Sequence, residues 1–221
     1  MAKFLTTLTF ILFILSGNAQ SVNFEGEIHF VTNYTYFPPQ LEQYKDYLPV
    51  TMDVYVRNNL VTKEGPTGFA GGYQIHIRNL LTNQGYTAMK VGDDAVAYRK
   101  GAKEFASENA AMTTPTSIEY VEGTRKVAGF VCKKALVFLP GNSKPYTVYY
   151  TDKIPKEAFE VYKGLNGFPM YFEGDMKGVK FYSEAKSANP TPQPDSRFLL
   201  PKEYTVVSYE EFKNTLMKDV N

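Results

Sequence analysis

The chain has 221 residues, 24 Lys+Arg against 23 Asp+Glu, one cysteine, 17 Tyr and 16 Phe, and no Trp. A near-neutral balance without a long basic run argues against nucleic acid or an anionic membrane surface as partner. A single cysteine excludes an internal disulfide, so stability must come from a packed core.

The chain opens like an export signal. Lys3 is followed by an apolar run from Phe4 to Leu15, and the small residues Gly17 and Ala19 precede a cut expected at Ala19–Gln20. That run is too short for a membrane span, which needs about 20 residues. The expectation is therefore a signal peptide over residues 1–19 and a single β-rich domain over residues 20–221, with no integral membrane segment once the signal is removed. Export places the protein in the periplasm or outside the cell.

Thr, Val and Tyr fall in short segments punctuated by Gly, Pro and Asn, which predicts many strands. Val22–Thr32 alternates Val22, Phe24, Gly26, Ile28 and Phe30 against Asn23, Glu25, Glu27 and His29, the pattern of an antiparallel strand with one wet face. Leu41, Tyr44 and Leu48 have helical spacing and suggest a short helix or lid. Strands follow at Val50–Arg57 and Leu60–Lys63, turned by Asn58-Asn59, because Asn tolerates the left-handed conformation. The glycine-rich run Gly65–Gly72 lacks the Lys-Ser/Thr pair and following helix of a phosphate loop, so it reads as a hairpin loop. Tyr73–Arg78, Tyr86–Val91 and Ala95–Lys100 continue the strands, and Ala102–Met112 reads as a helix. Thr116–Val121 is a strand, and Glu122-Gly123 a turn.

Arg125–Leu139 is the longest nearly unbroken run of strand formers. It reads as a strand with apolar side chains on both faces, either covered on both sides or bent at Gly129 so that its cover changes along its length. It holds Cys132, expected to be an inert buried thiol. Tyr146–Thr151 is a strand, and Ala158–Tyr162 at most a short helix. A hairpin from Phe168–Glu173 to Val179–Ala188 turns through Gly174–Gly178. Ser187–Arg197 is a surface loop with three prolines. Ser208 and Glu211 form a capping box, and Tyr209, Phe212 and Leu216 give one apolar face to a C-terminal helix. Roughly ten strands with few helices predict a mainly β (α+β) fold: one antiparallel sheet curled into an open half-barrel, a few helices over its concave face, and a C-terminal helix.

No motif points to a reaction. His29 and His76 lie on the polar sides of their strands without ligand-spaced neighbours, so no metal or cofactor is expected. No nucleophile signature is present, and the pairs Glu25/Glu27 and Asp93/Asp94 suit a solvated strand face and a turn. No catalytic residue is assigned. The inner face of the half-barrel is expected to carry Phe30, Val54, Ile75, Ile77, Met89, Phe130, Phe138, Tyr149 and Phe181, with Tyr34, Tyr36 and Phe37 at its open edge. Such a face either packs as a core or encloses an apolar ligand.

Lys126-Val127-Ala128-Gly129-Phe130-Val131-Cys132-Lys133-Lys134-Ala135 resembles a strand of small secreted bacterial proteins, those of the domain-of-unknown-function family 4412 and the related GLPGLI group. Tyr149-Tyr150-Thr151-Asp152-Lys153-Ile154-Pro155 resembles that group's next segment, with Tyr149 where Trp is usual. Gly164-Leu165-Asn166-Gly167-Phe168-Pro169 stands loosely where its GLPGLI signature would fall. Asp195-Ser196-Arg197-Phe198-Leu199-Leu200-Pro201-Lys202-Glu203-Tyr204 resembles the terminal segment. The resemblance implies a fold like the periplasmic lipoprotein carriers (LolA-like), and by analogy a non-catalytic binding protein that shelters a lipid or other apolar ligand, with a lipid or lipid-modified protein as partner. The alternatives are an envelope interaction module with a self-filled core, and an unrecognised hydrolase. Oligomeric state is not legible.

Overall fold

The computed structural model describes residues 24–68, 71–111 and 114–218. The export segment expected over residues 1–19 lies outside these residues. Strands predominate among the described residues, with few helices.

Alternating apolar residues and short turns build two meanders. The first is β1 (Gly26–Tyr36), β2 (Thr51–Arg57), β3 (Leu60–Pro66), β4 (Tyr73–Asn79), β5 (Gln84–Val91) and β6 (Asp94–Lys100). Helix α1 (Ala102–Ala111) leads to the second: β7 (Ser117–Val127), β8 (Phe130–Phe138), β9 (Tyr146–Thr151), β10 (Phe168–Met176) and β11 (Val179–Asn189). Pairing of β1 with β11 joins the two into one sheet, and β12 (Thr205–Val206) adds in parallel to β6 before helix α2 (Tyr209–Lys218). The twelve strands run β12-β6-β5-β4-β3-β2-β1-β11-β10-β9-β8-β7, and the sheet is not closed.

Arg125–Leu139 is not one strand. Ala128 and Gly129, at φ 45° and 89°, form the two-residue turn of the β7–β8 hairpin. Two successive positive φ values give the turn whose twist matches paired strands. The expected turn at Glu122-Gly123 is instead a bulge inside β7, between Val121 and Thr124. The helix expected near Leu41–Leu48 is a 3-10 segment, Pro39–Tyr47, with no buried residue. At the C-terminus the capping box forms as expected. Glu211 accepts from the Ser208 N–H at 2.9 Å, and the Glu211 N–H donates to Ser208 Oγ at 3.2 Å.

Directly opposed residues share a sheet face, so the register sorts the side chains. One face carries Ile28, Phe30, Val54, Val56, Phe172, Val148, Ala135 and Val137, all buried. It is covered by the 153–167 segment, which contributes Ile154, Ala158, Phe159, Tyr162 and Leu165. Towards β6 the same face is covered by the helices. Phe105 of α1 lies under Arg78, and Phe212 of α2 packs 4.7 Å from the Tyr98 ring. The opposite face is crossed at β2–β4 by the segment around Asp195–Phe198, where Arg197 pairs with Glu64 at 2.7 Å and lies 4.1 Å over Tyr55. Tyr204 then joins Ile75, Ile77, Ala88 and Ala97 in a separate small core.

The sheet is sharply bent at its β7 end. Arg125 of β7 pairs with Glu184 of β11 and lies 4.9 Å over the Tyr171 ring. Strands four places apart in a flat sheet would be separated by about 19 Å. Only a bend towards the Tyr171 face brings these side chains together.

Candidate functional site

The nine residues expected on one inner face divide between two. Phe30, Val54, Met89 and Phe181 lie on the face described first. Ile75, Ile77, Phe130, Phe138 and Tyr149 lie on the other. The error has a physical source. Alternation fixes which residues within a strand share a side, while the relative side of two strands depends on pairing register and bulges. Lys63 stands opposite His76, so β4 turns His76 towards the Phe30 face and Ile75 and Ile77 away from it.

Around Phe30 the face is filled by the chain's own aromatics. The Phe30 ring is fully buried against Phe159 at 5.3 Å, Phe168 at 6.2 Å and Phe172 at 6.4 Å. Phe159 comes from the loop after the 3-10 turn Lys156–Ala158 and also meets Phe172 at 5.7 Å. These are edge-on and tilted geometries that aromatic pairs favour. A recess of ≈100 Å³ remains beside Phe159, Val161 and Leu165. The expected edge residues continue the row. Tyr34 packs on Phe37 and Phe181 and donates to the Pro49 carbonyl at 2.8 Å, while Tyr36 is exposed.

A more open feature lies where β9 and β10 part. Their ladder stops at Val148–Phe172. Beyond it, side chains satisfy the backbone groups that a sheet would have paired. The Thr147 N–H donates to Glu173 Oε2 at 2.8 Å, and the Tyr162 hydroxyl donates to the Glu173 carbonyl. Tyr171 donates to Glu173 Oε1 at 3.3 Å, so both carboxylate oxygens are held. Burial first, then the Glu173 charge, pushes the Tyr171 phenol up to about 12. Gly174 stands opposite Phe181, and a methyl group there would come within 2.6 Å of the ring. The ring therefore lies across the glycine. The β8–β9 loop forms the other bank, where Asn142 donates to the Tyr146 hydroxyl at 3.0 Å.

The resulting cleft of ≈470 Å³ is lined by Asn142, Lys144, Tyr146, Glu173, Asp175, Lys180, Phe181 and Tyr182, among others. Of the residues expected at the site, only Phe181 belongs to it. Sequence reading placed Asp175 in a turn and stopped the strand at Glu173. The available signal was Gly174 opposite a large aromatic, which requires the pairing register to be seen.

Burial shifts titratable groups elsewhere, among them His76 and Cys132. His76 accepts or donates to Thr87 Oγ1 at 3.1 Å, and burial, reinforced by Lys63 and Lys100, lowers its pKa to about 3. His29 contacts Asp53 Oδ1 at 2.6 Å. Cys132 is fully buried, and burial pushes its thiol up to about 11. Among the described residues, no three His, Cys, Asp or Glu side chains group as metal ligands, and no helix is long and apolar enough to cross a membrane.

No family model and no curated protein matches the chain. The chain is similar in fold to solved structures of PNGF-II in two crystal forms, with TM-scores of 0.52 and 0.51 at 13% identity. The match takes in 89% of this chain and 34% or 33% of those chains, so this chain spans about a third of their length. At that identity the likeness concerns the fold alone.

Proposed function

We propose that the chain is an exported, non-catalytic interaction module on an open, curled half-barrel, akin to the secreted GLPGLI-like proteins whose strands it resembles. The supporting observation is the Phe30 face. Its apolar surface is occupied by Phe159, Ile154 and Leu165 of the same chain. A carrier needs that surface free for its cargo, whereas a module that binds through its surface needs it closed. Contact with partners then falls to exposed, partly polar features such as the β9–β10 cleft.

Sheltering an apolar ligand is the second reading. Phe159 sits on a segment held by one-turn bonds, with the Phe159 N–H donating to the Lys156 carbonyl at 3.3 Å. Withdrawal of that segment would uncover Phe30, Phe168 and Phe172. Titration with a fluorescent long-chain fatty acid separates the readings. The module takes up no stoichiometric probe; saturable one-to-one uptake by the wild-type protein overturns it in favour of the carrier.

A further inference from the structure

We propose that the cleft between β9 and β10 binds a neutral saccharide. The inference rests on the reading that ligands are met at the surface rather than inside the sheet. Its volume of ≈470 Å³ falls within the range of small-ligand sites, roughly 300–1,000 Å³. Its charged groups are Glu173 and Asp175 against Lys144 and Lys180, so no net charge selects an ion.

The polar atoms are held before any ligand arrives. Glu173 is fixed by the Thr147 N–H and the Tyr171 hydroxyl, and Asp175 accepts from the Gly178 N–H at 2.7 Å. Burial raises the pKa of Tyr146. Two carboxylates and two lysines thus line the one cleft. A sugar hydroxyl, which both donates and accepts, can bridge a carboxylate and an ammonium there. The Tyr182 ring, on the same face as Glu173 and stacked on Tyr171 at 5.5 Å, supplies apolar surface for the C–H face of a pyranose. A lipid would leave these polar groups unpaired, at a cost. A strongly charged ligand would face like charge on one side whichever its sign.

The test is a panel of immobilised neutral oligosaccharides, with sialylated glycans and short peptides as comparison arms, followed by calorimetric titration of each binder. The full exported chain is compared with Tyr182→Ala, Tyr182→Phe and Asn142→Ala. A neutral glycan should bind. Loss of the Tyr182 ring should weaken binding about tenfold, as removal of one aromatic contact of about 1.4 kcal/mol would. Tyr182→Phe should restore most of it, and Asn142→Ala, on an exposed loop, should weaken binding with an unchanged unfolding midpoint. Binding to no neutral glycan, binding only to peptides or charged glycans, or neutral binding untouched by all three variants overturns the proposal. None of these results bears on the closed Phe30 face, which the fatty-acid titration tests separately.

Discussion

Phe159→Ala should open the face that the chain keeps closed. The ring contacts Phe30, Phe168 and Phe172 at 5.3, 6.0 and 5.7 Å, and the Lys63 ammonium lies 5.7 Å from its centroid. Truncating a fully buried Phe costs about 3–5 kcal/mol. Phe159 is only half-buried and sits on a loop that can partly collapse, so the expected loss is about 2–3 kcal/mol. Urea unfolding followed by tyrosine fluorescence would measure it as a lower midpoint with an unchanged slope. The same variant should gain binding of an apolar dye, because Phe30, Phe168 and Phe172 lose their cover. A variant as stable as the wild type that binds no dye would refute the reasoning, since the ring would then be neither packed nor a plug.

Further outcomes follow from the same geometry. Gly174→Ala places a methyl group 2.6 Å from a Phe181 ring already hemmed in by Tyr34 and Phe172, so it should cost about 1–3 kcal/mol, and adding Phe181→Ala should be clearly less than additive. His76 is neutral when folded, with its pKa lowered from 6.5 to about 3. The unfolded chain therefore binds the extra proton first, and stability should fall as pH drops from 6.5 towards 3, by up to about 1.4 kcal/mol per pH unit from this group. Denaturant midpoints across that range should flatten in His76→Gln. The Cys132 thiol should resist a disulfide reagent at pH 8 in the native protein and react fully in urea, because it is buried, shifted up to about 11 and directed at the Phe130 carbonyl at 3.6 Å.

Local features were the legible ones. Alternation in Ile28 and Phe30, the Asn58 turn at φ 52° and the Ser208–Glu211 box each depend on a few neighbouring residues, and each forms as read. The β7–β8 hairpin was hidden because Ala128 carries no turn signal, and a continuous apolar run cannot show where a chain reverses. The division of Phe30 from Ile75 and Tyr149 was hidden for a different reason. Both faces of this sheet are covered, one by 153–167 and the helices, the other in part by 190–204, so apolar residues occur on each side and periodicity does not say which. The β9–β10 cleft was least legible, because it exists only where two strands fail to pair and Glu173 and Tyr162 replace the missing ladder.

Native mass spectrometry of the protein purified from its own host tests the closed face most directly. The account predicts the mass of the bare chain, with no lipid recovered on organic extraction. A stoichiometric lipid adduct, retained through purification and released on unfolding, would contradict it.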